Sequence, residues 1–157
     1  EKSLVSDRCF HRIIGQNGIN ELILFSILNS TLQALLVMLF GRANLGQGAL
    51  KFETNDAKNV PTLNLRTVKL NEKEINKIAK KIGRREPESL FIECGIDPES
   101  ETPIEKQEPK PLPDRKALDD VVFDAIGLTE QERKDVYRAV CRLVWNRVSK
   151  AKSTKGK

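Results

Sequence analysis

A polar, glycine-rich segment at residues 41–48 combines residue types that bind phosphates and bases. Its glycines allow close approach of the backbone and leave N–H groups open to a ligand. Arg42, Asn44 and Gln47 stand among these glycines; arginine pairs well with guanine, and asparagine or glutamine with adenine. The segment therefore predicts contact with phosphates and base edges, although a tight connection from a helix to a strand also favours glycine.

Basic residues form two candidate surfaces that could neutralise phosphates. The first surface flanks the glycine-rich segment and consists of Arg8, Arg12, Arg42 and Lys51. The second lies on the last predicted helix, where three cations spaced by four residues share one face: Lys134, Arg138 and Arg142. Trp145 follows one turn later as a stacking or a packing residue. The alternative for this helix is a solvated face of an amphipathic helix, without any ligand.

The sequence lacks the groups that a zinc centre or a nucleophilic hydrolase requires. The cysteines Cys9, Cys94 and Cys141 are widely spaced, and His11 is the one histidine, whereas structural zinc needs four clustered ligands. No nucleophile elbow and no Walker A motif occur, and Lys51 interrupts a possible GxGxxG loop. We therefore expect no catalytic residue, no metal site and no cofactor site in this chain. Unpaired cysteines favour a reducing, cytoplasmic setting.

Composition narrows the class of protein further. The chain has 157 residues, 31% of them charged, and a formal net charge of +5. Its longest apolar run, residues 34–40, is far shorter than the roughly 20 residues of a membrane span, so we expect no membrane partner. Basic and acidic residues number 8 and 5 in residues 1–70, 8 and 11 in residues 71–114, and 11 and 6 in residues 115–157. Because the chain begins with Glu1, we expect it to be part of a longer protein.

The hydrophobic pattern of the first half predicts an α+β, mostly helical fold. Residues 19–40 contain no glycine or proline and predict one long buried helix. Its polar centre, residues 29–31, can cap or bend it. Residues 55–61 predict a turn or a short helix. Short strands that would form a small β-sheet are predicted at residues 3–14, 49–54 and 62–65.

The second half predicts helices separated by a linker. Residues 71–83 predict a helix, with Asn71 as N-cap and Glu74 completing a capping box. Residues 97–114 are acidic, hold five prolines and predict a semi-rigid, largely solvated linker. Residues 115–152 predict a C-terminal helical hairpin.

These elements predict four parts in the chain. The first is an α+β part, the second a helical extension, the third the proline-rich acidic linker, and the fourth the helical hairpin with its basic tail. Their bounds are residues 1–70, 71–96, 97–114 and 115–157.

Several segments together resemble the C-terminal region of adenine-specific DNA methyltransferases of the type I and type IIG restriction-modification class. Four segments of the first half carry this resemblance: residues 6–10 (SDRCF), 27–32 (ILNSTL), 41–51 (GRANLGQGALK) and 56–61 (DAKNVP). Two segments near the C-terminus add to it: residues 118–129 (LDDVVFDAIGLT) and 136–140 (VYRAV). The resemblance covers most of the chain except residues 97–114.

This resemblance implies a target-recognition region, similar to the DNA-reading domain of type I specificity subunits, with double-stranded DNA as its partner. Residues 58–61 (KNVP) depart from the leucine-proline form that is more usual in the family. The family's FxGxG-type motif for S-adenosylmethionine and its Asn/Asp-Pro-Pro-aromatic motif do not occur in the chain. The resemblance therefore implies that the cofactor binds to the parent protein, and that this chain does not methylate DNA alone.

A second hypothesis is a protein-interaction module. In that case the hairpin of residues 115–152 would dock on the methyltransferase catalytic domain, in the same polypeptide or in a partner subunit, with Trp145 as an anchor. Low sensitivity to salt would distinguish an apolar docking face from a DNA-binding face. An independent enzyme is the third and least favoured hypothesis.

Overall fold

The computed structural model of the chain describes residue 13 and residues 18–43, 50–65 and 70–155. These residues are mostly helical, as the sequence predicts. In chain order the elements are α1 (Glu21–Leu28), α2 (Thr31–Phe40), β1 (Arg42–Ala43), β2 (Leu50–Lys51), α3 (Thr54–Asn59), α4 (Glu72–Ile82), α5 (Leu90–Cys94), a 3₁₀ turn (Ile104–Lys106), α6 (Pro113–Ile126) and α7 (Glu130–Lys155).

The prediction of one long helix over residues 19–40 is wrong, because the chain bends by 62° between α1 and α2. The break falls in the polar centre of the segment. Ser30 accepts a hydrogen bond from the Gln33 amide at 3.2 Å and so caps α2, while its hydroxyl donates to the Ile27 carbonyl at 2.7 Å. A capping side chain satisfies amides that a new helix start leaves free, and this stabilises two short helices over one long helix.

The predicted small β-sheet is not supported by the described residues. They contain only a two-residue antiparallel pairing, with Arg42 opposite Lys51 and Ala43 opposite Leu50. Residues 54–59 form α3 because Glu53 and Asp56 make a capping box at its start. Residues 61–64 have no regular structure, and the strands predicted over residues 3–14 lie outside the described residues except for residue 13.

The helices predicted in the second half are confirmed at close to their expected bounds. The Asn71 side chain accepts from the Glu74 amide at 3.3 Å at the start of α4. Gly127 ends α6 with φ 72°, and Thr129 and Glu132 form the capping box that begins α7. Local cap chemistry therefore sets these boundaries.

Residues 97–114 are mostly exposed, in line with the predicted solvated segment, but part of the segment is packed on the helices. Ile104 of the 3₁₀ turn is buried in the main hydrophobic cluster. The Lys110 amide donates to the Gly95 carbonyl at 3.3 Å, which ties the segment to the end of α5. Gly95 has φ 62°, and a Cβ atom there would lie 1.9 Å from the Lys110 carbonyl oxygen. The segment is thus packed on the helices, because glycine permits the close approach.

Two hydrophobic clusters hold the helices together. The larger cluster joins α5, the 3₁₀ turn, α6 and α7 around Phe123, Val140 and Cys141, with side chains of α2 packed against it. The smaller cluster joins α1, α4 and α6 through Ile27 and Ile75. Elements that precede residues 97–114 therefore pack against elements that follow them, in both clusters. The division of the chain into four parts stays a prediction.

A buried network of charges fastens α5 and α6 to the chain before them. Arg85 makes a two-point pair with Glu93 at 2.7 and 2.6 Å and a further bond to Asp114 at 2.6 Å. Arg115 reaches Glu93 at 2.9 Å and also donates to the Asn29 carbonyl. Burial raises the pKa of Glu93, but the hydrogen bonds from the two arginines outweigh burial and hold it at about 2.

The helices α1 and α2 are the most apolar pair of the fold. Within the described residues no single helix has the length and composition needed to cross a membrane, although this bent pair taken together does by those two measures alone. Ile23, Ser26 and Ile27 are buried, as in a core helix.

Candidate nucleic-acid interface

The strand pair places two predicted DNA-binding residues side by side at the base of the glycine-rich segment. Arg42 and Lys51 are directly opposed, and about half of each side chain is exposed (57% and 48%). Gly41 fits here because a Cβ atom would lie 2.7 Å from Leu50 Cγ. The chain is therefore closely packed where β1 and β2 meet, beside Gly41 and Leu50. Four other predicted contacts lie outside the described residues and stay predictions: Arg8, Arg12, Asn44 and Gln47.

Carboxylates at the start of α3 hold these two cations. Arg42 donates to Glu53 at 2.7 Å and to Asp56 at 3.0 Å, and Lys51 pairs with Glu53 at 2.8 Å. The backbone hydrogen bond from Glu53 and then the bond from Arg42 lower the pKa of Asp56. The bonds from Lys51 and Arg42 likewise lower the pKa of Glu53. A phosphate at this site must therefore compete with two ionised carboxylates.

The three cations predicted on the last helix are also engaged. Lys134 pairs with Glu108 at 2.6 Å, and Arg142 pairs with Glu105 at 3.0 Å. Arg138 donates to the Gln107 carbonyl at 2.9 Å. The sequence alone does not show these contacts, because the partners belong to residues 105–108, which lie far from α7 in the chain.

These pairs are partly exposed, so a strong anion can displace them. The Lys134 hydrogen bond lowers the pKa of Glu108, which keeps that carboxylate ionised. Exposed ion pairs contribute little to stability, because water and salt screen them. On the α7 surface each of the three cations is thus paired with a carboxylate, so the surface carries little net positive charge.

A third basic surface, on α4, was not among the predicted sites. Its cations are all exposed, and none forms a salt bridge within the part of the chain that the structure describes: Lys73, Lys77, Lys80, Lys81 and Arg84. At 3.6 residues per turn they fall within a sector about 100° wide. The opposite side of α4 buries Ile75 and Ala79. We name these five residues the α4 stripe.

The sequence did contain a signal for the α4 stripe. The cations recur at i, i+4, i+7, i+8 and i+11, so that each has another cation three or four residues away. Charges of alternating sign along a helix face indicate salt bridges between its side chains, and residues 77–84 contain no acidic residue that could provide them.

Apolar surface near the strand pair offers a different kind of contact. Leu39 and Phe40 at the end of α2 are 59% and 42% exposed. An open depression of ≈ 600 Å³ between α1, α2 and α3 is lined by side chains that include Leu28, Val37 and Phe52. Trp145, the predicted docking anchor, instead packs half-buried against the larger hydrophobic cluster.

No group of three or more metal-ligating side chains comes together among the described residues. Comparison of the chain with protein-family models, with curated proteins and with solved structures gives no match.

Proposed function

We propose that the chain is the DNA-binding, target-recognition part of an adenine-specific DNA methyltransferase of a restriction-modification system. The observation that carries the proposal is the exposed pair of Arg42 and Lys51, opposed across two strands at the base of a segment whose sequence resembles that family. The parent protein would supply the catalytic domain and bind S-adenosylmethionine. This chain would help to select the site and would not catalyse methyl transfer.

In the proposed complex the strand pair positions the segment on the DNA backbone. Arg42 and Lys51 exchange their carboxylate partners for phosphates, and the backbone contact fixes the register of the protein on the duplex. Asn44 and Gln47 of the glycine-rich segment are then proposed to face the base edges, where amide side chains pair with adenine. The bases give the specificity and the phosphates much of the affinity.

Duplex binding by the full chain tests the proposal. The double variant Arg42→Gln/Lys51→Gln is compared with Lys106→Gln/Lys110→Gln, which removes the same charge from exposed residues of another segment. Fluorescence anisotropy with a mixed-sequence duplex is recorded at several salt concentrations. Each phosphate contact contributes about 0.9 to the slope of log affinity against log salt, so the first variant is expected to lower the slope by about 1.8. Equal slopes for both variants, or no duplex binding by the unaltered chain, contradict the proposal.

The alternative, a docking module for the methyltransferase catalytic domain or a partner subunit, is favoured by the exposed apolar pair Leu39 and Phe40. The variant Leu39→Ser/Phe40→Ser would weaken association with that domain, and the association would be nearly independent of salt because it buries apolar surface. Association that weakens steeply with salt argues against this alternative.

A further inference from the structure

The α4 stripe places five cations along one side of a short helix. From Lys73 to Arg84 the chain rises by about 16 Å at 1.5 Å per residue, and five cations lie within this distance. Duplex DNA carries one negative charge per about 1.7 Å of its axis, so the stripe spans several phosphates.

Like charges three or four residues apart destabilise a helix. Lys77 has Lys73 and Lys81 at a spacing of four, and Lys80 has Arg84 at the same spacing. Glu72 and Glu74 are confined to the first turn of α4, where carboxylates suit the helix N-terminus. The stripe is therefore a surface whose repulsion an anionic partner would relieve.

The α4 stripe differs from the other two basic surfaces because its cations form no salt bridge with the described residues. Arg42 and Lys51 are held by Glu53, and the α7 cations are held by carboxylates from residues 105–108 and from Asp135. A phosphate that approaches the stripe displaces no salt bridge formed by the described residues. Binding there avoids that competing interaction.

The helix is also fixed in place behind the stripe. Ile75 and Ala79 are 1% and 3% exposed and pack in the contacts of α4 with α1 and α6. A rigid element loses little conformational freedom when its surface is bound. The five cations thus project from a fixed helix rather than from a loop.

The packing of α4 favours a nucleic-acid backbone over a lipid surface. A helix that lies on a membrane inserts an apolar face between the headgroups. The apolar face of α4 is buried in the protein, and the large exposed apolar side chains of the described residues lie on other segments. The exposed side of α4 presents positive charge to a partner. Such a surface suits the phosphate backbone, whose contacts do not depend on base sequence.

We infer that the α4 stripe is a second contact with the phosphate backbone of duplex DNA, independent of base sequence. This inference rests on the proposed DNA-binding function. The stripe would add affinity and hold the duplex while the strand pair and the glycine-rich segment select the site.

The test uses the full chain and the variant Lys77→Gln/Lys80→Gln/Lys81→Gln. Its matched control, Lys106→Gln/Lys110→Gln/Lys152→Gln, removes three exposed cations elsewhere. Anisotropy titrations with two duplexes of unrelated sequence are recorded across salt concentrations, and circular dichroism checks that helix content is retained. The stripe variant is expected to lower the salt slope by about 2.7, equally for both duplexes, and the control by much less.

Three results would overturn the inference, and they are distinguishable from failure of the proposed function. If the unaltered chain binds duplex and Arg42→Gln/Lys51→Gln weakens it while the stripe variant does not, the stripe inference alone fails. If the stripe variant affects one duplex and spares the other, the stripe reads bases and the backbone assignment is wrong. If no duplex binds but vesicles containing phosphatidylglycerol bind through the stripe, both the DNA assignment and the proposed function fail.

Discussion

Asp119 is a buried carboxylate that caps a helix from 88 residues away. It accepts from the Thr31 amide at 2.7 Å and from the Thr31 hydroxyl at 2.6 Å, at the first residue of α2. Burial raises its pKa to about 6, although the two bonds from Thr31 act in the opposite direction. The Tyr137 hydroxyl is buried close to Asp119, and burial followed by the charge of Asp119 raises the pKa of Tyr137.

The raised pKa of Asp119 predicts that the native state binds its proton more tightly than the unfolded chain does. Its contribution to the free energy of unfolding is therefore greatest below about pH 4 and is lost as pH rises through about 6. The loss is roughly 3 kcal/mol at 1.36 kcal/mol per pKa unit. Urea unfolding between pH 4 and 7 is compared for the unaltered chain and Asp119→Asn. The difference between them should vary over this window; a constant difference would rule out the raised pKa.

Glu93 titrates in the opposite sense. Its pKa of about 2 lies below the ordinary value of 4.5, so its contribution to stability is present above about pH 4.5 and disappears as pH falls through about 2. At pH 7 the variant Glu93→Gln leaves Arg85 and Arg115 without their shared carboxylate, and we expect a loss of about 3 kcal/mol. Urea unfolding measures it, with Glu105→Gln as the control because that pair is exposed and contributes about 1 kcal/mol or less. Equal losses for the two variants would contradict the buried network.

Two glycines at helix ends allow backbone strain to be distinguished from a tertiary contact. Gly95 and Gly127 end α5 and α6 with φ 62° and 72°. Any L residue is strained there, by about 1–2 kcal/mol. A Cβ atom at residue 127 would meet nothing within 4 Å, whereas one at residue 95 would meet the backbone of Lys110 at 1.9 Å.

We therefore expect Gly95→Ala to destabilise the protein by clearly more than Gly127→Ala, and to loosen residues 97–114. Urea unfolding gives the two stability changes. Hydrogen exchange at the Lys110 amide, which bonds to the Gly95 carbonyl, reports on the segment. Similar stability losses, together with unchanged exchange at residue 110, would mean that the segment does not depend on this contact.

Two buried thiols report on the integrity of the larger hydrophobic cluster, which joins most helices of the fold. Cys94 and Cys141 are both fully buried. The adjacent Cys141 thiol and burial raise the pKa of Cys94, so its reactive thiolate is suppressed. Both should react with iodoacetamide only when the cluster opens, with rates that rise with urea, as followed by mass spectrometry at each residue. Rapid labelling of either thiol in the native protein would contradict this packing.

The basic residues behind the net charge of +5 form surfaces that differ in whether carboxylates pair with their cations. The α7 cations meet carboxylates that arrive from residues 105–108, while the α4 stripe meets none among the described residues. The proposed contact through the α4 stripe therefore depends on cations that no described carboxylate pairs, whereas Arg42 and Lys51 must first exchange their carboxylate partners for phosphates.

Helix boundaries that depend on neighbouring residues could be predicted from the sequence alone. The start of α4 at Asn71, the end of α6 at Gly127 and the start of α7 at Thr129 follow from bonds that span three or four residues. The cationic spacing of α4 is likewise visible in the sequence, because a helix fixes which residues share a face. The glycine-rich segment and its proposed reading of bases also came from the sequence.

The pairing of the polar groups, in contrast, follows from the packed fold and not from the sequence pattern. The bend at Ser30 is supported by Asp119, the α7 cations are neutralised by residues 105–108, and residues 97–114 are packed through Gly95. Each of these contacts joins residues far apart in the chain, so composition and periodicity carry no record of the partner. Burial and pairing depend on which distant groups the fold brings within a few ångströms, and that is a property of the packed molecule rather than of any local segment.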